Sequence, residues 1–375
     1  MLGILLEQRP FGANGSLLGQ VLSVLIFASF IALYFFGQKI QSRIALLEID
    51  SALKRLEFMK SEAHRLALKT IREIGKPQHD PSAGLEALIE QFIITPVDLD
   101  PTGIISKLDL LLDVRQTKLE GDVKVLAPAA NETQIRTLGN LVEATSALNQ
   151  LFKIVRHFYL FGKKTSSFFM IMQLQMLLPS IMQIAEAYSG AVRAFAEGHP
   201  IGDGAGALVA SKLMVGKEKR RIEKDIVVAE TTIEGRRVLV MKAEGPGGNV
   251  GKPGEAIKQL IESNQGRVSL ILMIDAAVKF EGEKSGDISE GIGAAIGGIG
   301  TERYKIEEEA TKHKIPVYAL IIKESLEEAI ASMRKQIFDA ADRVIERIRD
   351  VLLERTREGD LVIIAGIGNT IGIAQ

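Results

Sequence analysis

The chain of 375 residues has no cysteine. That excludes disulfides, thiolate zinc sites and thiol nucleophiles. Its five histidines, His64, His79, His157, His199 and His313, are scattered with no HExxH or similar pairing, so local spacing offers no histidine metal site. Net charge is nearly absent, −1 at pH 7; no overall field of one sign favours nucleic acid, and none is expected as a partner. Charge is also missing from one long stretch. From Leu17 to Phe36 only Gln20, Ser23 and Ser29 interrupt an apolar run. Roughly 20 such residues cross the hydrocarbon core of a bilayer as a helix, so this segment is expected to anchor the protein in membrane lipid. A cleaved signal peptide is the rival reading. The run exceeds a usual signal core, Glu7 and Arg9 cancel before it, and no small-x-small site follows it. Lys39, Arg43, Lys54 and Arg55 lie just beyond it. The positive-inside rule then predicts a single-pass protein with its carboxyl-terminal part cytoplasmic.

Proline and glycine are missing from Gln38 to Ile74, which predicts a continuous helix ended by Gly75, Pro77 and Pro81. Leu46, Ile49, Leu53 and Leu56 repeat at 3–4 spacing. They form either a coiled-coil seam or the buried stripe of a helix packed on its own domain. Helical spacing continues to Leu213. Ser82 opens a helix through Ile94, and Asp100-Pro101 is a cap and first-turn pair for Ile104 to Leu119. Asp98 and Asp100 read as capping residues before a DxD metal motif. Another helix covers Thr133 to Phe161. Ser166 to Ile184 is long and apolar but carries Gln173, Gln175 and Gln183. Three readings stay open for it: a buried or oligomer-facing helix, a membrane-surface or re-entrant segment, and a true span. Its methionines suit an adaptable apolar contact. Lys153, Arg156, His157, Lys163 and Lys164, interleaved with Phe158, Tyr159 and Phe161, read as a solvated helix end near a membrane or as a holder of phosphate or lipid headgroups. The turn Gly198 to Gly206 reads as an anion nest or a hinge.

After Lys224 the period changes. Asp225 to Ile233 and Arg236 to Met241, split by Glu234-Gly235, predict a hairpin. Helices at Glu255–Ser263, Glu302–His313 and Ser325–Arg357 then alternate with strands at Val268–Ile274, Val317–Ile322 and Leu361–Ala365. This order predicts a Rossmann-like, mostly parallel sheet. The expected layout is an α/β protein with a helical region: membrane anchor (1–37), stalk helix and linker (38–81), all-α middle domain (82–224) and an α/β ligand-binding-like domain (225–375).

Three glycine-rich segments lie downstream of strands, where open parallel sheets bind ligands. Glycine lets backbone N–H groups approach a phosphate. The candidates are Gly245, Gly247, Gly248, Asn249, Gly251 and Lys252 in the first, Gly291, Gly293 and Gly297 in the second, and Gly366, Gly368 and Asn369 in the third. The first is no Walker A loop, since Pro246 and Pro253 break its pattern. Glu244 and Asp275 end strands and are candidate ligands for magnesium, whereas Glu281 to Glu290 reads as a solvated acidic loop.

Five stretches, Arg156 to Thr165, Met172 to Met176, Pro200 to Gly204, Gly251 to Glu255 and Gly293 to Gly298, together resemble an uncharacterised archaeal family of membrane-anchored proteins of about this length, known as a domain of unknown function. The resemblance covers nearly the whole chain and implies architecture, with no activity attached. The expected function is binding of a nucleotide or other phosphorylated ligand, the cofactor otherwise unknown and magnesium its candidate companion. The alternatives are a homo-oligomeric membrane scaffold and a magnesium-dependent phosphoryl-transfer enzyme.

Overall fold

The computed structural model describes residues 17–92, 103–298 and 300–375. The readings on Glu7, Arg9, Ile94, Asp98 and Asp100-Pro101 fall outside these residues. The chain forms two compact units. One takes in the chain to Lys54 together with Ile154–Pro179; the other takes Arg55–Lys153 and Ser180–Gln375.

Five helices come first: α1 (Leu17–Gly75), α2 (Ser82–Ile89), α3 (Ile104–Leu126), α4 (Glu132–Thr165) and α5 (Phe168–Glu197). With no proline and only Gly19 and Gly37 as internal glycines, both tolerated, α1 runs for 59 residues, roughly 88 Å at 1.5 Å per residue. The side chains of its apolar end, Val21, Phe27 and Phe30 among them, are exposed. Further along, Ala45, Ile49, Ala52 and Leu56 are buried, while Leu46 and Leu53 of the 3–4 stripe are half-buried. By length and composition both α1 and α5 suffice to cross a membrane.

A turn of 3-10 helix (Gly202–Gly204) and α6 (Ala205–Leu213) lead into β1 (Lys219–Glu223), β2 (Ile226–Ile233) and β3 (Arg236–Ala243). Glu234 and Gly235 both have positive φ, 47° and 75°, the geometry of a two-residue hairpin turn that matches strand twist. Then follow α7 (Pro253–Ser263), β4 (Leu270–Val278), β5 (Ile288–Ile292), α8 (Thr301–His313), β6 (Val317–Glu324), α9 (Leu326–Ile330), α10 (Lys335–Arg355) and β7 (Leu361–Gly366).

The strands form one mixed sheet in the order β1-β2-β3-β7-β4-β6-β5. The pairs β3–β7, β7–β4 and β4–β6 are parallel, and the other three are antiparallel. This corrects the expectation of a mostly parallel sheet. The hairpin adds β2, and two short edge strands escaped the sequence reading. Charged β1 has Ile222 as its one apolar residue. In β5, Glu290 and Gly291 had read as loop; they pair with Leu320 and Ala319 of β6. Short charged or glycine-bearing strands are how sheet edges resist further pairing. Both faces of the sheet are covered. On one, Val209 of α6 and Val344 and Ile348 of α10 pack on Leu272, Ile322 and Ile364. On the other, Ile257 and Leu260 of α7 and Ile306 of α8 pack on Met241, Met273 and Ile363. Central β7 is buried along its length, as a strand covered on both faces must be.

The expected single helix from Ser325 to Arg357 is two. Ser325 closes a capping box with Glu328 at the start of α9. The chain then turns extended at Ala331. Ser332 bridges to Ile201, the Met333 N–H donates to the Pro200 carbonyl (2.7 Å) and the Gly202 N–H donates to the Ala331 carbonyl (3.3 Å). These distant backbone bonds override local helix propensity.

Candidate functional site

Strand polarity brings the carboxyl ends of β3, β7, β4 and β6 to one edge of the sheet, and the turns after β3 and β7 meet there. They are joined through Thr370. Its N–H donates to the Asn249 carbonyl (3.0 Å), and its hydroxyl faces the carbonyls of Gly247 (2.8 Å), Asn249 (3.1 Å) and Glu244 (3.2 Å). Gly372 N–H donates to Pro246 (3.0 Å), and the Gln375 amide donates to Gly245 (2.9 Å).

This joint fills the space expected for an anion. A Cβ on Gly245 would strike the Ile373 carbonyl oxygen, and one on Gly368 (φ 117°) would strike that of Asp203. Gly247 lies against Thr133, Gly251 against Ile226 and Asp225, and Gly366 against Gly206 and Ala210. The Gly248 carbonyl accepts from the Asn140 amide (3.0 Å). Asn249 is buried and folds its own Oδ1 onto the Gly251 N–H (2.8 Å). Lys252 is spent on Asp113 (2.6 Å). In the first and third segments the glycines therefore serve close packing.

The second segment differs. Gly291 lies within β5, but a Cβ on Gly293, Gly297, Gly298 or Gly300 would meet nothing within 4 Å among the described residues. Gly298 and Gly300 have φ of 88° and 94°, so their N–H groups point where only glycine readily directs them; the Gly293 N–H (φ 104°) instead donates to the Val317 carbonyl (2.9 Å). This loop runs directly into α8, whose amino end has no side-chain cap. The first N–H groups of a helix lack partners within it and carry its positive dipole end.

Asp275 links this open loop to the sheet. It is 6% exposed, accepts from the Ala276 N–H (2.8 Å) and lies within reach of the Gly297 N–H. Burial, reinforced by the Asp203 charge, pushes its carboxyl well above the usual range. Two further acids, missed in the sequence, belong to the same edge. Asp203 in the 3-10 turn accepts from the Asn369 N–H (2.8 Å), and burial raises it too. Glu324 ends β6 at 1% exposure. Its Oε2 is buried without a hydrogen-bond partner, and burial followed by the charges of Asp203, Glu328 and Asp275 pushes it up to about 9. A strand-end position was the available signal for Glu324; Asp275, expected to end its strand, lies instead within β4 opposite Ile321, because pairing with β6 continues to Val278. Asp203 was visible only as part of a glycine-rich turn.

Glu244 does not join them. It ion-pairs with Arg221 beyond β3, while β7 separates β3 from β4. Among the described residues no group of three histidines or carboxylates is arranged to hold a metal ion. A separate cavity of about 1050 Å³ lies among the helices, lined by Leu88, Leu111, Arg115, Glu143, Phe195 and Ile330. Burial raises Glu143 there despite its ion pair with Arg115 (2.5 Å).

No curated protein matches the chain. Two family profiles do. The one described as "Protein of unknown function (DUF1512) N-terminal domain" matches residues 23–198, and "Domain of unknown function (DUF1512) C-terminal" matches 201–374. Together they span nearly all of the described chain, and the protein belongs to this family of unknown function.

Proposed function

We propose that this is a membrane-anchored protein that binds a phosphorylated ligand, such as a nucleotide, at the Gly293–Gly300 loop and the amino end of α8. The observation that carries the reading is the contrast between the glycine segments: two are closed by packing, and this one is open, uncapped and tied to Asp275. An anion there would meet backbone N–H groups and a helix dipole. Asp275 would not repel it strongly, because burial keeps that carboxyl protonated to higher pH. Within the mixed sheet, the parallel strands β3, β7, β4 and β6 form a Rossmann-like centre. The chain leaves β4 through edge strand β5 to α8 on one face, and leaves β6 towards α10 on the other. Such a divergence is where open α/β sheets bind ligands. The apolar end of α1 would cross the bilayer once, and Lys39 and Arg43 would hold the remainder on the cytoplasmic side.

The test is Gly297→Val in the full chain. A side chain there meets open space, so the free protein should melt within a degree or two of wild type. Thermal shifts are then read with ATP, GTP, NAD and inorganic pyrophosphate. A ligand at 100 times its Kd stabilises by about 2.7 kcal/mol. At least one should raise the melting temperature of wild type and leave the variant unmoved. No shift in wild type across the panel, or equal shifts in both, removes the reading.

A second reading, the homo-oligomeric membrane scaffold, draws on α5, where Met176 and Leu177 are exposed. Flexible methionine surfaces suit self-association.

A further inference from the structure

Between Glu143 and Glu186 the chain carries no acidic residue, yet it carries Lys153, Arg156, Lys163 and Lys164. This stretch includes the α4–α5 hairpin, whose turn falls at Ser166-Ser167. The end of the hairpin is both basic and greasy. Lys163 and Lys164 are exposed and form no ion pair among the described residues; Lys163 stands 5.8 Å over the Tyr159 ring. Phe158, Leu160 and Phe161 on α4 and Phe169 on α5 are exposed beside them, Phe169 at 74%. Folding alone leaves such a cluster without a purpose, because apolar surface in water is costly.

Its height along α1 can be worked out. Tyr159 donates to Asp50 (3.3 Å), and Gln175 donates to Glu48, so both arms of the hairpin touch α1 at Glu48–Asp50. Phe152 of α4 lies by Lys60 of α1, and further along α4 Tyr159 meets Asp50, so α4 runs antiparallel to α1 and carries the turn towards the apolar segment. Six residues separate Tyr159 from the end of α4 at Thr165, about 9 Å. The turn therefore stands level with about Ile44, roughly 12 Å along the helix from Phe36. Headgroups extend about 5–8 Å beyond the hydrocarbon on each side. The gap left is about the reach of a lysine side chain.

We infer that the α4–α5 turn is a second membrane contact, resting on the anionic headgroups of the leaflet that α1 enters, with Lys163 and Lys164 on lipid phosphates and Phe161 and Phe169 in the interface. The inference rests on the reading that α1 spans the bilayer. Charge complementarity selects lipid as the occupant, since cytoplasmic leaflets are anionic. Aromatic and basic side chains together are the usual composition of an interfacial contact.

The absence of cysteine makes the test direct. The full chain is reconstituted in phosphatidylcholine vesicles with and without phosphatidylglycerol. It carries one fluorophore, introduced through Ser166→Cys at the turn, Ile26→Cys in the apolar segment, or Leu353→Cys on exposed α10 as a reference. Lipids bear a quencher on the headgroup or deep in the acyl chain. The expected result is severalfold stronger headgroup quenching at position 166 than at position 353, enhanced by phosphatidylglycerol. Lys163→Glu with Lys164→Glu should bring position 166 down to the reference. Acyl-chain quenching should appear at position 26 in every case. If position 26 is quenched and position 166 equals the reference, the second contact is wrong and the anchor stands. If position 26 is not quenched, the anchor reading itself fails. Deep quenching at position 166 that ignores charge reversal would make α5 a span and overturn the inference. So would disulfide cross-linking between two chains bearing Ser166→Cys without headgroup quenching, which would give the turn to a second copy.

Discussion

Glu324 is buried at the end of a strand with one carboxylate oxygen unpartnered, beside the acids Asp203, Asp275 and Glu328. The folded protein keeps its proton until about pH 9, because burial and those like charges oppose ionisation. The unfolded chain releases it near the ordinary value of 4.5. Between these limits the unfolded state binds fewer protons, so stability falls as pH rises. A single group gives at most about 1.4 kcal/mol per pH unit. Lys242 acts in the opposite sense above pH 8: burial lowers it to about 8, so its contribution grows with pH from there. Below pH 8 the decline is left to buried acids, and Asp203 and Asp275, which burial also raises, add to that of Glu324. Glu324→Gln should lessen the decline and raise the urea midpoint at pH 8, as read by urea unfolding at several pH values. An unchanged slope would show that another group sets it.

At the scale of elements, the two packed turns depend on Thr370. Thr370→Val keeps the shape and removes the one hydroxyl proton that the carbonyls of Glu244, Gly247 and Asn249 share, while Asn249 keeps the Thr370 N–H. The expected loss is about 1–3 kcal/mol, measured as a lower urea midpoint with an unchanged slope. How much of this could be read beforehand depended on what each element asks of its own residues. The hairpin at Glu234-Gly235 and the apolar runs of β4 and β7 were legible, because a turn type or burial on two faces imposes itself on consecutive residues. Edge strands β1 and β5 were not, since only one face and one neighbour constrain them. The break at Ala331 was invisible, because its cause is a pair of backbone bonds to Pro200 and Gly202. The same distance hid the site. Asp275 could be named from its strand, but the Asp203 turn reaches it from across the sequence. The glycines alone could not reveal which turns were filled by Thr370 and Ile373.

At the scale of the whole molecule, the chain carries an exposed apolar end on α1 and a partly exposed α5. The scaffold reading requires these surfaces to meet their equivalents in other copies, whereas the ligand-binding reading does not. Mass photometry of the full chain in mild detergent should show discrete multiples of one protomer if the scaffold reading holds; a monodisperse monomer removes that reading alone. The order of the sheet has its own consequence. Central β7 is the last strand in sequence, yet it lies between β3 and β4, completed at Ala243 and Val278. While the ribosome is still making the residues between Val278 and Leu361, two apolar strands wait with unpaired edges, the condition that invites aggregation. The central sheet closes only once β7 has been made, so the edges of β3 and β4 stay open to other nascent chains until then.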